Sequence, residues 1–305
     1  MFSFIVRRLL WSIPVLWVVA TLTFMIMHIV PGGPFDKEKK LPPEIKANVE
    51  AKYHLDQPLS KQYLFYLKGL IRGDLGPSYK YLGRTVNDVI GDTFPVSIQL
   101  GLIALLIALL FGLAGGILSS VTTGSVWDRL VLFFTTAGIS TPSFVLGTFL
   151  IYLLSHRYRL FPPALWEDFR HAILPAVTLG LAPAAYVARL TRSSLLETNR
   201  QDYVRTARAK GLSETAILFR HTLKNALTPV VTILGPLTAT LVTGSFVVEF
   251  IFSVPGMGKF FITAVTNRDY PLIMGVTLVY ALLIVIANLV VDLLYTLIDP
   301  RVRLE

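Results

Sequence analysis

The chain has 305 residues, of which 53% are hydrophobic and only 15% are charged. The apolar residues lie in long unbroken runs, which the core of a soluble domain does not require, so the composition favours a membrane protein. The absence of cysteine excludes disulfide frameworks, zinc–thiolate sites and thiol nucleophiles. The formal charge of +9 favours anchoring of loops at the cytoplasmic membrane surface by Lys and Arg over nucleic-acid binding.

Six long runs without any Asp, Glu, Lys or Arg have the length and composition of transmembrane helices. They cover residues 9–30, 96–121, 130–155, 172–188, 225–248 and 270–291. Because these runs are continuously apolar, whereas the strands of a membrane barrel alternate between two faces, helices are predicted. The predicted fold class is therefore an all-α polytopic membrane protein with six transmembrane helices.

Three regions are predicted along the chain. Residues 1–30 form a cytoplasmic end and the first span, which is too long for a signal-peptide core and is expected to remain uncleaved. Residues 31–95 form a small helical periplasmic insertion, with a helix start near Pro42-Pro43-Glu44. Its role is left open between closing over the span ends and docking a delivery protein. Residues 96–305 form a five-helix core that contains a cytoplasmic segment, residues 189–224.

The loop charges predict the orientation. Basic residues concentrate in the segments that are cytoplasmic when the N-terminus is inside, above all in residues 189–224. Both termini are therefore predicted to be cytoplasmic. Within the second span, Gly112-x-x-x-Gly116 permits close helix approach, and packing inside this subunit is its expected use. Pro142 is expected to kink the third span.

The sequence offers no catalytic machinery. Gly256-Met-Gly258-Lys259 resembles part of a P-loop, but Ser253 stands at the leading glycine and no Ser or Thr follows the lysine. No metal-ligand spacing or acid–base pair is present, so the chain is predicted not to be an enzyme. A self-sufficient channel or secondary carrier is opposed by spans that are nearly free of ionisable groups.

Residues 189–224 have the pattern of two short helices rather than of a flexible linker. Residues 202–210 are compatible with a helix, Gly211 can end it in a left-handed conformation, and Ser213 can cap a second helix over residues 214–220. On the second helix, Ala216, Ile217 and Leu218 are predicted to form a small apolar surface. It would lie on the bilayer interface or fill a groove on a partner, and both alternatives remain open.

This segment resembles a known family motif. Arg205-Thr-Ala-x-x-x-Gly211 is similar to the E-A-A-x-x-x-G loop of bacterial ABC importer permeases, with Arg205 where the general motif has Glu. Across the chain, the resemblance is to the peptide/nickel family and best to the B-type permease of oligopeptide importers. Its further motifs are Arg7-Arg8, Pro31-Gly-Gly-Pro34, the stretch from Leu41 to Leu55, Gly73-Asp-Leu-Gly-Pro-Ser78, Val254-Pro-Gly-Met-Gly258, Arg268-Asp-Tyr-Pro271 and Asp299-Pro-Arg301.

The resemblance implies a type I ABC importer fold and a transport subunit without its own ATPase site. It implies as partners a second homologous permease, two cytoplasmic ATPases that bind Mg–ATP, and a periplasmic or lipid-anchored peptide-binding protein. No cofactor is implied in this chain. The implied cargo is oligopeptides, with dipeptides, nickel or antimicrobial peptides as alternatives. The implied ATPase-coupling residues are Arg205, Ala207, Gly211, Leu212, Ser213, Glu214, Ala216 and Ile217.

Overall fold

The computed structural model describes residues 2–30, 51 and 55–298. The helices whose limits fall within these residues are, in chain order, α1 (Phe2–Ile29), α2 (Leu59–Ile71), α3 (Val86–Val121), α4 (Val126–Ser140), α5 (Ser143–Leu150), α6 (Phe169–Thr198), α7 (Asp202–Ala209), α8 (Glu214–Ile217), α9 (Leu223–Ala226), α10 (Thr228–Val242), α11 (Phe246–Ile251), α12 (Met257–Asn267) and α13 (Tyr270–Ile298). Two π-helical segments, Ile151–Arg157 and Leu218–Thr222, continue α5 and α8.

Among the described residues, five helical segments are long and apolar enough to cross a membrane, and the bent pair formed by α4 and α5 raises the number to six. The five are α1, α3, α6, α13 and the segment from α10 to α11. The predicted all-α polytopic fold is therefore confirmed. The predicted helix start near Pro42 lies outside the described residues.

The third span differs from a continuous helix over residues 130–155. Its two halves, Val126–Ser140 and Ser143–Arg157, are bent by 111° at a short break. Pro142 has no N–H with which to continue the first half, and the Thr141 hydroxyl donates to the carbonyl of Ala137 at 2.7 Å. Kinking by Pro142 was expected, but a turn of this size was not.

Helix α3 also differs from the prediction, because it begins at Val86 and not at Val96. Its first turns carry Asp88 and Asp92, which lie outside the uncharged run of residues 96–121. The predicted boundary between residues 95 and 96 therefore lies within a helix. Since the N-terminal end of a helix favours acidic side chains, these two residues are compatible with the earlier start.

The described residues belong to two compact units. The first holds those up to Val96 together with Pro255–Ile286, and the second holds Ser97–Val254 together with those from Ala287 onward. In the first unit, α1, α2 and α13 meet in an aromatic cluster. Phe24, Tyr270 and Met274 are buried there, and Met27, Tyr63, Tyr66 and Tyr79 pack against them.

Two sequence motifs of the first unit, separated by about 190 residues, meet at Asp269. This side chain is fully buried. It accepts hydrogen bonds from the hydroxyl of Ser78 and from the backbone N–H of Tyr79, the latter at 3.1 Å. Gly73-Asp-Leu-Gly-Pro-Ser78 and Arg268-Asp-Tyr-Pro271 are thus parts of one hydrogen-bonded structure that fixes the start of α13.

In the second unit, α3 crosses α6 without space for side chains at the contact. A Cβ placed on Gly112 would lie 2.7 Å from the Cβ of Val187, and one on Gly116 would lie 2.6 Å from the carbonyl oxygen of Ala188. Both distances are shorter than carbon atoms allow, so only glycine permits this approach. The predicted use of Gly112-x-x-x-Gly116 in packing inside the chain is confirmed.

Candidate functional site

The connection between α6 and α10, residues 199–227, is the helical loop. Its first helix, α7, ends in a Schellman motif, in which the N–H of Gly211 donates to the carbonyl of Arg208 at 2.9 Å and that of Leu212 to the carbonyl of Ala207 at 3.3 Å. Gly211 has a φ of +79°, a left-handed conformation that strains other residues. The predicted glycine stop is therefore confirmed.

The second helix of the loop begins as the sequence predicts. The Ser213 hydroxyl accepts a hydrogen bond from the backbone N–H of Ala216 at 3.3 Å, which is the contact expected of an N-cap. The α-helix ends at Ile217 and continues as the π-helical segment Leu218–Thr222. The predicted second helix, residues 214–220, is therefore helical throughout, but only Glu214–Ile217 is α-helical.

A two-pronged ion pair joins the two short helices across the turn. Arg208 Nε donates to Glu214 Oε1 at 2.8 Å, and its Nη2 donates to Oε2 at 3.1 Å. The pairing lowers the pKa of Glu214 and raises that of Arg208, in each case chiefly through these hydrogen bonds. Because the side chains of Arg208 and Glu214 are 41% and 72% exposed, solvent screens the pair. It therefore adds orientation more than stability.

The interior of the helical loop is a small cluster of Val204, Ala207 and Ile217, all of them buried. The prediction that Ile217 contributes to an exposed apolar surface was wrong, because its side chain is only 1% exposed. Val204 and Ala207 are three residues apart on α7 and so share one face, which requires an apolar partner. Ile217 is that partner.

The surface around the turn is formed by other residues. Arg205, Gly211, Leu212, Ser213 and Glu214 are exposed, and Ala216 is half-buried. The most exposed large apolar side chain among the described residues of the helical loop is that of Phe219, at 61%, which was not among the residues predicted from the sequence. Phe219 lies two residues after Ile217, so the two side chains point to different sides of the helix, but the sequence alone does not show which of them is buried.

The loop is attached to α6 by its own side chains. Thr222 is fully buried, and its hydroxyl donates to the amide oxygen of Asn199, the residue after α6, at 3.2 Å. Asn225 donates to the hydroxyl of Tyr203 at 2.9 Å. These contacts close the loop on itself and join it to the residue that follows α6.

Of the eight residues predicted to form the site, the structure brings all into this loop, but in two roles. Ala207 and Ile217 hold it together from inside. The residues exposed around the turn are Arg205, Gly211, Leu212, Ser213 and Glu214, and Ala216 is half-buried beside them. The fold and this loop define a polytopic helical membrane protein that presents a prefolded helical hairpin between two of its spans.

The comparisons with known proteins identify the family. Residues 112–304 match the family described as binding-protein-dependent transport system inner membrane component, and residues 1–101 match the model for the N-terminal part of such membrane components. The chain belongs to this family of multi-pass inner-membrane proteins. The resemblance to ABC importer permeases is thereby confirmed.

Relatives match over essentially the full length. The chain is 44% identical to the dipeptide transport system permease protein DppB of Bacillus subtilis, covering 100% of this chain and 99% of that one. It is 43% identical to the oligopeptide transport system permease protein OppB of Salmonella typhimurium, covering 99% and 100%. With OppB of Escherichia coli K12 the identity is 41%, at the same coverage.

Solved structures share the fold. An inward-facing form of the MetNI methionine ABC transporter matches 69% of this chain and 96% of its own, with a TM-score of 0.58 and 18% identity. An amino acid ABC transporter solved with histidines matches 68% of this chain and 93% of its own, with a TM-score of 0.55 and 16% identity.

Proposed function

We propose that this chain is the permease subunit through which an ATP-driven importer moves oligopeptides across the inner membrane. The observation that carries the proposal is the helical loop, whose exposed turn is held in one conformation by a Schellman motif and an internal core. A subunit that is moved by another protein needs a contact surface of fixed conformation, and the hydrogen bonds and internal core of this loop support that role.

In this proposal the ATPase subunits bind the exposed part of the loop, and ATP-driven closure of the ATPases displaces it together with α6. Arg205, Leu212 and Glu214 form the polar and apolar contact surface, and Gly211 keeps the turn in shape. Ala207 and Ile217 act indirectly, because they maintain the hairpin that carries these residues. Both chain termini and the loop lie on the cytoplasmic side, as the loop charges indicate.

The proposed assembly contains a second, homologous permease, two ATPases and a periplasmic or lipid-anchored peptide-binding protein. Mg–ATP is bound by the ATPases and no cofactor by this chain, whose sequence lacks the G-x-x-x-x-G-K-[ST] pattern. The contact with the ATPases is made by the exposed turn of the helical loop, which lies within the predicted cytoplasmic coupling segment, residues 189–224.

Crosslinking tests the contact directly, because the natural chain contains no cysteine. Thr215→Cys places a thiol on the exposed side of α8, and Thr123→Cys places one in the connection between α3 and α4, which is exposed as well and predicted to lie on the same side. In membranes that contain the whole complex, we expect the first variant to crosslink to an ATPase subunit and the second not to. Equal labelling of both thiols by a soluble maleimide is the control. Equal crosslinking, or crosslinking only from residue 123, would refute the contact.

Dipeptides are the second candidate cargo, because a permease of a dipeptide system is 44% identical over the whole chain. Uptake by the reconstituted complex with a length series from dipeptides to octapeptides distinguishes the two. We expect ATP-dependent uptake of the longer peptides. Uptake confined to dipeptides would replace the cargo and leave the permease role intact.

A further inference from the structure

In the second unit, a buried carboxylate on α4 connects α6 to the end of α3. Asp128, in the first turn of α4, is only 4% exposed and accepts four hydrogen bonds. Arg192 Nε donates at 3.0 Å and its Nη2 at 3.1 Å. The backbone N–H of Gly124 donates at 2.9 Å, and the hydroxyl of Ser119 donates as well. The carboxylate thus binds the end of α3, the following turn and α6 at once.

Arg192 lies close to the helical loop along the chain. It precedes the last residue of α6, Thr198, by six positions, and α7 begins at Asp202. Its neighbour Thr191 packs against α3, since a Cβ on Gly116 would lie 2.6 Å from the Cβ of Thr191. Between Arg192 and the loop the chain is almost entirely helical, so little slack separates the two.

The chemistry of this contact differs from that of the surrounding apolar packing. Apolar side chains tolerate small sliding displacements, whereas a two-pronged guanidinium–carboxylate contact has a fixed geometry. Removal of one partner would leave a charge buried without its counter-charge, which is strongly unfavourable. When α6 moves, α4 and the end of α3 therefore have to move with it.

We propose that Arg192 and Asp128 are the positioning residues that transmit displacement of the helical loop from α6 to α3 and α4. The inference rests on the proposed function, because it assigns a path to the movement that the ATPases impose. They are assigned this role through their contacts with other helices and not through contact with ATP or cargo. Their role is to make three helices respond as one body at the end next to the loop.

The test measures ATP hydrolysed per peptide imported by the complex purified with its native partner subunits and reconstituted in liposomes. Arg192→Lys keeps the positive charge and removes the two-pronged geometry. Arg189→Lys makes the same change three residues earlier on α6, where the side chain is exposed, and serves as the matched control. We expect Arg192→Lys to hydrolyse ATP at near the natural rate while import falls about tenfold. The control should keep the natural ratio.

The outcomes separate this inference from the proposed function. If import and hydrolysis fall together in Arg192→Lys, or if the variant does not assemble, the pair has a structural role only and the inference is overturned. An unchanged ratio overturns it as well. If the natural complex itself shows no ATP-dependent peptide import, the proposed function fails instead.

A rescue arm uses the lack of cysteines. The double variant Asp128→Cys with Arg192→Cys should, like Arg192→Lys, hydrolyse more ATP per imported peptide than the natural complex. A short bifunctional thiol crosslinker should lower this ratio, because it restores the connection between α4 and α6 without restoring the charges. Failure of a completed crosslink to change the ratio would contradict a mechanical role.

Discussion

Glycine serves two opposite purposes in two regions of this molecule. At the crossing of α3 and α6, Gly112 has ordinary helical geometry and no space, since an added Cβ would lie 2.7 Å from the Cβ of Val187. At the turn of the helical loop, Gly211 has open space around it, but its φ is +79°. Gly112 is required because neighbouring atoms leave no space for a side chain, and Gly211 is required because its backbone has a positive φ.

This difference separates the membrane-spanning helices, here called the membrane body, from the helical loop that a partner is proposed to contact. A larger residue at the crossing has to push α3 and α6 apart, which destabilises the protein through lost packing. A substitution in the turn changes a local conformation and leaves the membrane helices in place. Variants of the two regions should therefore fail in different assays.

The largest effect is expected at the crossing. Gly112→Ala should destabilise the protein by about 1–3 kcal/mol, because the new methyl group overlaps Val187 and the carbonyl of Ala184. Gly112→Leu should prevent accumulation in the membrane. The measurements are thermal unfolding in detergent and the yield of purified complex.

The matched control lies three residues further along α3. A Cβ on Gly115 would meet Val131 at 3.7 Å and Ala188 at 3.8 Å, which is ordinary contact. Gly115→Ala should therefore be tolerated or slightly stabilising, because alanine is the better helix former. Equal effects at both positions would disprove that the crossing depends on one close contact.

A smaller loss of stability but a clear loss of transport is expected at the turn. Gly211→Val introduces a β-branched residue where φ is positive, at a cost of at least about 1–2 kcal/mol to the local conformation. Peptide import should fall about fivefold or more, while the melting temperature of the membrane body stays within the error of the measurement.

Gly211→Asn is the control for size, because asparagine is similar in volume to valine and tolerates the left-handed conformation. It should retain most of the import activity. If both variants lose import to the same degree, the turn needs a bare backbone for contact with a partner, and conformational strain is not the reason.

An intermediate effect on binding is expected at Phe219, whose side chain is 61% exposed. If it fills a groove on the ATPase, Phe219→Ala should weaken ATPase binding about tenfold, since full burial of such a side chain contributes about 1.5–3 kcal/mol. Phe219→Leu should retain most of the affinity. Unchanged affinity for the ATPase would assign this side chain to the bilayer interface.

The smallest effect is expected from the ion pair. The Glu214 pKa is lowered in the folded loop, so its stabilising contribution is present above the ordinary carboxyl pKa and is lost as the pH falls through the lowered value. Amide-exchange protection at Leu212 and Ala216, corrected for intrinsic rates, should decrease in that acidic range. Glu214→Gln should show low protection at every pH. A natural chain without this pH dependence would show that the pair does not order the turn.

The membrane spans could be predicted because lipid excludes charge, and every predicted uncharged run has a helical counterpart. The start of α3 could not be predicted in this way. Asp88 and Asp92 lie outside the uncharged run, but they do not prevent a helix. The 111° bend between α4 and α5 was unpredictable in size, because proline marks where a helix breaks while packing decides the angle.

In the helical loop, the turn was predictable and the interior was not. Gly211 and Ser213 act through their own backbone and hydroxyl geometry, which single residue types reveal. The burial of Ile217 depends on where α7 lies, and a four-residue helix is too short for its apolar pattern to define a face. Only the pairing of Val204 with Ala207 indicated that α7 needed an apolar neighbour.

The closed structure of the helical loop has a kinetic consequence. If residues 202–213 became ordered only on contact, each encounter would have to offset a backbone entropy loss on the order of 10–20 kcal/mol. Because the Schellman turn and the Val204–Ala207–Ile217 cluster already hold them, an ATPase that lets go during its cycle would find the same surface on return. Re-engagement would then be limited by diffusion and not by folding.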